Sequence, residues 1–331
     1  NGLISYTFQN STRDLIQDLD SLPFPDWTQI PLKNYWKLKY AHGPFSSKKY
    51  ISLLTSRGCP YPCKFCVVPE TNNRRWRSKS PKKVVDEIEY YLSSLGVNEF
   101  HFEDLNPTVN ETRTIELCKE IIKRNLNITW KIVAGTKVES IKKTETVDLM
   151  AKSGCKYISI SPESGSNEIM KKIGKPFNIE HAYTIVESMN KNKIYSQACF
   201  VLGYPEEKEE DLDLTKKMIF NLTKNGIDEI AIFIISPIPG SKIFNDFYGY
   251  DSYSELNFSP TWRKDYSKLF KKRLFFYAYF IFFKILFYPI KIIKQILRFF
   301  TLNFQTKMEM VPFKYFKLSI LSVFFKNHEK N

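Results

Sequence analysis

Three closely spaced cysteines, Cys59, Cys63 and Cys66, are the residues of this chain best suited to do chemistry. They follow an apolar run at residues 50–54, which predicts a β-strand. Three thiolates from one short loop form a soft metal site, and both iron–sulfur clusters and zinc select such ligands. Ordinary clusters and structural zinc sites take four protein ligands, whereas this loop offers three. A cluster bound here would therefore keep one iron open to another molecule.

Three simpler interpretations of these cysteines compete with a cluster. A disulfide framework fits poorly, because the chain is long, has six cysteines and shows no secretory signal at its start. A zinc site would need a fourth ligand, and the four histidines show no zinc-finger spacing to the cysteines. Chance clustering is the third interpretation. The other three cysteines lie singly in apolar surroundings and are predicted to be buried small residues: Cys118, Cys155 and Cys199.

Around and after the cysteines, short apolar runs alternate with amphipathic helical patterns. The predicted strands are residues 50–55, 98–103, 128–134, 156–161, 196–202 and 229–235. The predicted helices are residues 81–95, 111–125, 144–153, 178–192 and 209–225. This alternation predicts an α/β fold with a parallel sheet, and the number of repeats suits a partial (β/α)6 TIM-like barrel. Such barrels place their functional residues at the C-terminal ends of the strands, which is where the cysteine loop falls.

The cysteine motif, with Phe65 directly before the third cysteine, resembles that of the radical S-adenosylmethionine (SAM) superfamily. The resemblance covers roughly residues 15–290 and includes Arg-Ser-Lys-Ser-Pro at 77–81 and Glu-Ser-Gly-Ser at 163–166. It implies a 4Fe–4S cluster held by Cys59, Cys63 and Cys66. The open iron would hold the amino and carboxylate groups of SAM and reduce it to a 5′-deoxyadenosyl radical. We expect an electron donor such as flavodoxin or ferredoxin.

The resemblance also implies which strand-end residues contact SAM. Phe65 is expected near the adenine, Glu103 and Asp104 near the amino group, and Glu163 near the ribose. The full set of expected SAM contacts is Phe65, Glu103, Asp104, Glu163, Ser164 and Gly203. Alternatives stay open, because Glu103 and Asp104 could lie in a solvated loop and Glu163 could be an acid at a helix N-terminus.

Within the superfamily, the chain resembles proteins that carry an N-terminal cobalamin-binding domain. Residues 18–27 resemble the linker between that domain and the barrel, and prolines at 23, 25 and 31 mark an extended segment. We expect residues 1–45 to be an interdomain linker, residues 46–260 the radical SAM core barrel and residues 261–331 a helical tail. Cobalamin would bind through an upstream domain that is not in this chain. Departures from the family pattern at Asn106, Ser161 and Pro162 leave the substrate unidentified.

The positive charge of the chain is concentrated in the tail. Residues 1–259 carry 34 Lys and Arg against 32 Asp and Glu, whereas residues 260–331 carry 15 against 3. Within the tail, four basic residues fall within an arc of about 80° on one helix face: Lys284, Lys291, Lys294 and Arg298. The rest of that helix surface is almost entirely apolar. This pattern is typical of a helix in a membrane interface, with its lysines toward anionic headgroups.

Two alternatives to a helix lying in the membrane plane stay open for the tail. It could pack against a partner or a missing domain, or it could span the bilayer. A spanning helix needs about 20 apolar residues, whereas Arg273 and Lys291 enclose only 17, with Lys284 and Pro289 among them. A nucleic-acid partner is not expected, because the basic residues back onto a continuous apolar face. We therefore expect a cytoplasmic protein, peripheral to the inner face of the membrane.

Together these features predict a radical SAM enzyme that acts on a lipid or another apolar small molecule. Methylation of an unactivated carbon is the expected reaction if an upstream cobalamin domain exists. Cyclisation, coupling or rearrangement is the alternative reaction. A non-catalytic, zinc-binding membrane scaffold is the alternative of a different class.

Overall fold

The computed structural model describes residues 4–5, 8–9, 13–39 and 41–328. Six strands form one parallel sheet, in which neighbours in sequence are neighbours in space. The strands are β1 (Tyr50–Leu53), β2 (Glu99–Phe102), β3 (Thr129–Thr136), β4 (Cys155–Glu163), β5 (Tyr195–Leu202) and β6 (Glu229–Ile234). Since β1 and β6 are the two edges of this sheet, the barrel is open between them. The predicted α/β fold with a partial (β/α)6 barrel is confirmed.

Helices follow the strands and cover the outer face of the sheet. The helices before the tail are α1 (Leu32–Leu38), α2 (Val68–Thr71), α3 (Pro81–Leu95), α4 (Glu111–Lys123), α5 (Thr144–Lys152), α6 (Asn167–Lys172), α7 (Ile179–Lys191) and α8 (Glu209–Lys224). Helix α3 shows why these segments are helical. Ser80 caps it by accepting a hydrogen bond from the Lys83 amide at 3.1 Å, Pro81 occupies the first turn, and Gly96 ends it in a left-handed conformation.

The two faces of the sheet differ in chemistry. The outer face and the helices form the main apolar core, with Val85, Ile88 and Phe100 among its fully buried residues. The inner face carries buried charges instead. Lys131 on β3 lies 2.9 Å from Glu99 on β2, and the bonds of Glu99 to Lys131 and His101 outweigh its burial and lower its pKa to about 2. Charges are costly to bury unless they are paired, and these are paired.

Several short elements lie outside the six-stranded sheet. Strands Ser56–Arg57 and Arg77–Ser78 pair antiparallel, while Ile4–Ser5 pairs with Phe8–Gln9 near the N-terminus. Single 3-10 turns occur at Trp27–Gln29, Val138–Ser140, Phe244–Asp246 and Tyr253–Glu255. Strand β4 is irregular near its end, because its register to β5 shifts between Ile160 and Glu163, where Pro162 cannot donate to the ladder.

The tail forms three helices, α9 (Tyr266–Phe287), α10 (Pro289–Thr301) and α11 (Lys307–His328). Helix α9 packs on α8 and β6, and its buried side chains Leu269, Phe276 and Phe280 belong to the main core. No single helix among the described residues is both long and apolar enough to cross a membrane. Helices α9 and α10 reach that length and composition only as a pair, and the pair is bent by 112°.

The orientation of the basic residues in the tail differs from the prediction. Lys284 is fully buried and donates to the Asp228 carbonyl and, at 2.8 Å, to Gln295. Lys291 donates at 2.8 Å to the Gly226 carbonyl, and Arg298 lies 3.2 Å from Glu309. Of the four, only Lys294 is exposed. The basic stripe therefore faces the protein rather than headgroups, because carbonyls and acids of the barrel and of the other tail helices accept its hydrogen bonds.

The opposite, apolar side of the tail faces outward. The exposed large apolar residues of α9 and α10 are Leu274, Phe275, Ile281, Phe282, Ile285, Leu286, Ile290, Ile293, Ile296, Leu297 and Phe300. We call this set the outer apolar face. The sequence from Tyr266 to Met308 contains no acidic residue. A contiguous apolar surface of this kind marks a site of interaction with another apolar surface.

Helix α11 links the two edges of the open sheet. At the β6 edge, the Met308 amide donates to Glu229 at 2.6 Å. At the β1 edge, Lys314 donates to the Ala41 carbonyl at 2.8 Å, and Phe304 packs against Phe45. The tail is thus an integral part of the barrel, although the predicted domain limits at 45 and 260 stay predictions.

Candidate active site

The cysteine loop leaves β1 at the C-terminal end of the sheet and is held at several points. The strands Ser56–Arg57 and Arg77–Ser78 hold its flanks together. Gly58 has a φ of +83°, and a Cβ there would lie 2.1 Å from the Arg75 carbonyl oxygen, so only glycine fits. The Lys64 amide donates at 2.8 Å to the Ile173 carbonyl, which fixes the loop against the end of α6.

The three thiols of this loop are half-buried and close enough to influence one another. Burial is the main cause that raises the pKa of Cys63 to about 11, and Cys59 and Cys66 raise it further. The Val68 amide donates to the Cys66 sulfur at 3.4 Å. No group of three or more His, Cys, Asp or Glu side chains within the described ranges is already closed around a metal-sized centre. Three soft sulfurs nevertheless fit the chemistry of a cluster with an open iron.

Lys175, which is not among the site residues predicted from the sequence, lies close enough to the cysteines for its charge to act on them. Burial lowers its pKa, but Glu163 more than offsets that effect, so the pKa of Lys175 is raised and the ammonium stays charged. Its Nζ lies 2.6 Å from Glu163 and 2.7 Å from the Ser161 carbonyl. Its charge lowers the pKa of all three thiols, Cys59, Cys63 and Cys66. This buried cation therefore favours negative charge in the cysteine loop. The sequence gives little indication of this role, since Lys175 is a single lysine between Gly174 and Pro176.

Glu163 occupies an unusual backbone position at the end of β4. Its φ of +61° lies in the left-handed region, which a residue with a side chain rarely adopts. Such strain persists where the surroundings impose it and is common at functional sites. The carboxylate is buried and paired with Lys175, and its predicted contact with the SAM ribose stays a prediction.

Asp104 has a different role from the expected SAM contact. It is fully buried and accepts hydrogen bonds from the Thr55 amide at 3.1 Å, the Thr55 hydroxyl at 2.9 Å and the Ser56 hydroxyl at 2.5 Å. Burial raises its pKa, and these bonds oppose that effect. Arg113 also donates to the Thr55 carbonyl, at 2.9 Å. In this structure Asp104 therefore positions the start of the cysteine loop and presents no free oxygen to a ligand.

Glu103 points to the other side of the strand end and remains accessible. Its carboxylate lies 2.7 Å from Nδ1 of His42, and about a quarter of the Glu103 side chain (23%) is exposed. It lines two adjoining cavities beside β1 together with Ser52. Glu103 is thus an accessible acid, whereas the adjacent Asp104 is buried. Neighbouring side chains of an extended segment point to opposite sides, which accounts for this difference.

Two further predicted contacts, Ser164 and Gly203, are engaged within the protein. Ser164 is fully buried, with its hydroxyl 3.2 Å from that of Thr215 on α8. The Gly203 amide donates to Glu207 at 2.6 Å. A Cβ on Gly203 would lie 2.6 Å from the Leu269 side chain of α9 and 2.9 Å from the Arg263 guanidinium. Ser164 and Gly203 therefore shape the strand ends by close packing.

An aromatic contact at Phe65 and several unpartnered polar atoms occur at or after the ends of the strands. Phe65 makes an edge contact with Tyr204, with ring centroids 5.9 Å apart. Four buried oxygens at the ends of β5 and β6 have no hydrogen-bond partner among the described residues: Tyr204 Oη, Glu207 Oε1, Ser236 Oγ and Ser241 Oγ. Since orphaned buried oxygens are costly, this group signals a place for a polar ligand beside an aromatic ring. None of these four residues is among the SAM contacts predicted from the sequence.

Known proteins resemble the chain over this same region. Its residues 53–219 match the model of the radical SAM superfamily. An uncharacterized methyltransferase of Pyrococcus horikoshii is 29% identical over 76% of this chain and 51% of its own length. The cytidylyl-2-hydroxyethylphosphonate methyltransferase of Streptomyces wedmorensis is 27% identical over 69% and 43%. The anaerobic magnesium-protoporphyrin IX monomethyl ester cyclase of Rubrivivax gelatinosus is 33% identical over 61% and 35%.

Among solved structures, a radical SAM methyltransferase from Kitasatospora setae with cobalamin and a 4Fe–4S cluster bound shares the fold. Its TM-score is 0.53 at 20% identity, over 60% of this chain and 39% of that one. The chain spans about half, or less, of the length of the curated relatives above. The matched region contains the cysteine loop, the buried Lys175 and the ends of β1 to β5, and its superfamily implies a 4Fe–4S cluster and SAM as cofactors. The chain belongs to the radical SAM superfamily.

Proposed function

We propose that Cys59, Cys63 and Cys66 hold a 4Fe–4S cluster, and that the enzyme uses SAM to abstract hydrogen from an unactivated carbon of an apolar substrate. The observation that carries this proposal is the loop of three mutually close thiols, on which the charge of the buried Lys175 acts. When bound and reduced, for example by a flavodoxin or ferredoxin, the cluster supplies the electron that cleaves SAM into methionine and a 5′-deoxyadenosyl radical.

The strand-end residues provide complementary groups for each part of SAM. Lys175 offers a positive charge to the carboxylate, and Glu163 and Glu103 offer acceptors to the ammonium and the ribose hydroxyls. Phe65 and Tyr204 form an apolar wall for the adenine, beside the unpartnered oxygens that could accept from its amino group. These residues bind and orient SAM and exclude water, while the cofactor carries the difficult chemistry.

Methyl transfer is the reaction that we favour. Support comes from the names of the relatives, two of which are methyltransferases that match over more than two thirds of this chain. Such transfer would need cobalamin, which an additional domain would hold. Cyclisation is the second candidate, because a relative named as a cyclase is the most similar in identity among these three, at 33%.

Anaerobic reconstitution with iron and sulfide tests the cluster. We expect a brown protein that forms 5′-deoxyadenosine from SAM and dithionite. Cys63→Ala should abolish both the colour and the product, while Cys118→Ala, which removes a buried cysteine far from the loop in sequence, should retain them. A colourless wild-type protein that binds one zinc would contradict the proposal.

We also propose that the enzyme docks on the cytoplasmic face of an anionic membrane through the outer apolar face. The apolar side chains exposed on α9 and α10 support this, as do the exposed Lys294 and the absence of acids between Tyr266 and Met308. The 112° bend between α9 and α10 suits helices that lie against a surface rather than cross it. A lipid or another membrane-borne small molecule is then the natural substrate class.

Flotation with vesicles of phosphatidylglycerol and phosphatidylcholine tests this docking. The double variant Ile293→Glu, Leu297→Glu places two charges on the outer apolar face and should remain with the soluble fraction. Leu214→Glu changes an exposed leucine on α8 and is the matched control, which should float like the wild type. Equal flotation of all three proteins would rule out the outer apolar face as the membrane contact.

A further inference from the structure

Basic side chains flank the three cysteines along the chain and have no acidic partner. Residues 57–77 carry five basic residues and one acid, a net charge of +4, whereas residues 1–259 as a whole carry +2. We call the five the basic rim: Arg57, Lys64, Arg74, Arg75 and Arg77. Among the described residues, none of the five has a carboxylate oxygen within 4.0 Å. The acid of this segment, Glu70, lies 3.7 Å from Lys242 instead.

The fold brings three of these charges together at a cost in stability. Arg57 and Arg77 are directly opposite each other in the short antiparallel strand pair, where like charges are destabilising. Burial lowers the pKa of the Arg77 guanidinium, and the charges of Arg57 and Arg75 lower it further. Arg124, in contrast, is bonded to three carboxylates. An arrangement that breaks a local rule without a compensating partner is typical of a functional surface.

The turn that carries Arg74 and Arg75 is fixed against the cysteine loop. Asn73 and Arg74 have φ angles of +52° and +55°, in the left-handed region that residues with a side chain rarely adopt. Nε of Arg74 donates at 3.2 Å to the carbonyl of Pro60, the residue after Cys59. The side chains of Arg74 and Arg75 are nevertheless exposed. Two guanidinium groups are therefore held at the surface next to the cysteine loop.

We propose that the basic rim is the docking surface for an acidic electron-donor protein, which carries a flavin or an iron–sulfur cluster and a net negative charge. The proposal rests on the proposed function, whose partner it specifies. Electron transfer weakens steeply with distance, so the donor must approach the cluster ligands closely. Lys64 lies between Cys63 and Cys66, and a donor that pairs with the basic rim approaches this loop. In that step the donor loses one electron, the bound cluster gains it, and no bond forms or breaks.

The exposure of the basic rim favours a protein face over an enclosed small anion. Its charges come from two paired strands, a turn and the cysteine loop, and four of the five side chains are exposed: Arg57, Lys64, Arg74 and Arg75. Exposed charge of one sign steers a partner of opposite charge and speeds its association. Encounters between electron-transfer proteins bury little surface and do not need a large apolar contact. An anionic membrane is the competing occupant.

Reduction of the reconstituted enzyme by flavodoxin hydroquinone, an acidic donor, tests this surface by stopped-flow absorbance. At low salt, Arg74→Glu, Arg75→Glu should slow the second-order reduction at least about tenfold, because repulsion replaces attraction. The wild-type rate should fall as salt rises, whereas the rate of this double variant should not. Lys119→Glu, Lys123→Glu makes the same change in net charge at two exposed lysines on α4 and should retain the wild-type rate.

Reduced methyl viologen, a small cation, is the control for the cluster itself. It should reduce the double variant Arg74→Glu, Arg75→Glu at least as fast as the wild type, and the variant should keep its iron content. Arg75→Glu alone keeps the bond from Arg74 to Pro60 and should also slow reduction by flavodoxin. Arg74→Lys, Arg75→Lys keeps the charge and should retain most of the flavodoxin rate.

Equal flavodoxin rates in the wild type and the double variant Arg74→Glu, Arg75→Glu, or a wild-type rate that is independent of salt, would overturn the proposal. If this double variant lost flotation with anionic vesicles but kept the flavodoxin rate, the basic rim would be a membrane contact and the proposal would be wrong. Dithionite needs no docking surface. A wild type that forms no 5′-deoxyadenosine with dithionite would therefore count against the proposed function, and the flavodoxin rates test docking separately.

Discussion

At the scale of single residues, adjacent positions of similar chemistry have separate roles. Glu103 is accessible beside His42, whereas Asp104 is fully buried and its oxygens accept hydrogen bonds from Thr55 and Ser56. The buried carboxylate fixes the point at which the chain leaves β1 for the cysteine loop. Asp104 is therefore a positioning residue for the candidate cluster ligands.

Asp104→Asn should lower the free energy of unfolding by about 2–3 kcal/mol. The amide would present an N–H₂ group to donors that now face a carboxylate, which leaves buried groups unsatisfied. Urea denaturation measures the change, and iron content after reconstitution reports the loop. Glu103→Gln, at an accessible position, should change stability by no more than about 0.5 kcal/mol. Equal stability of the two variants would contradict this role.

Glu207 is predicted to make stability depend on pH. Burial is the main cause that raises the pKa of Glu207 from 4.5 to about 7 in the folded chain. Between these values the unfolded chain loses a proton that the folded chain keeps, so stability should fall as pH rises from about 4.5 to 7. The total effect is at most about 3–4 kcal/mol, from 1.36 kcal/mol per pKa unit.

Glu207→Gln can still accept from the Gly203 amide and should remove that slope, which thermal melts across this pH window would detect. The neighbouring variant Glu206→Gln alters an exposed side chain and is the control. A slope that persists unchanged in Glu207→Gln would show that another group causes it.

At the scale of elements, the tail helices are part of the barrel core. Helix α9 buries Leu269, Phe276 and Phe280, and burial of each such side chain contributes about 1.5–3 kcal/mol. Their sum is comparable to the whole stability of a typical domain, about 5–15 kcal/mol. Lys284 and Lys291 also donate hydrogen bonds to carbonyls of the loop before β6, which adds to the attachment of the tail.

Removal of residues 266–331 should therefore yield an aggregated or unfolded protein, because the apolar surfaces of α8 and β6 would be uncovered. Size-exclusion chromatography and circular dichroism measure this result. The double variant Ile293→Glu, Leu297→Glu keeps every buried contact of α9 and should remain folded and soluble. A truncated chain that stays monomeric and folded would show that the tail is an independent appendage.

At the scale of the whole molecule, most of the basic stripe on α9 and α10 binds the protein itself. Three of the four stripe residues, Lys284, Lys291 and Arg298, bind groups of the protein. The proposed docking on a membrane should then depend mainly on apolar contact, with a smaller electrostatic part from exposed lysines such as Lys294.

Flotation with anionic vesicles should consequently weaken only modestly between low and high salt, since salt screens exposed charges but not apolar burial. Vesicles without anionic lipid should still bind part of the protein. Complete release at high salt would contradict an apolar mode of binding. Lys294→Gln should reduce the remaining salt dependence without abolishing flotation.

The sequence by itself determined the reaction class and the fold class of this chain. The three cysteines lie within one loop, so their spacing alone brings them together, and the repeated alternation of apolar strands and amphipathic helices requires a parallel sheet. Only the tertiary structure decided which groups face the cysteines and which face of the tail is covered. Lys175 meets the cysteines, Asp104 turns away, and Lys284 turns inward, because in each case the partner comes from a distant part of the chain. Periodicity defines the two faces of a helix, but the residues packed against it decide which one is buried.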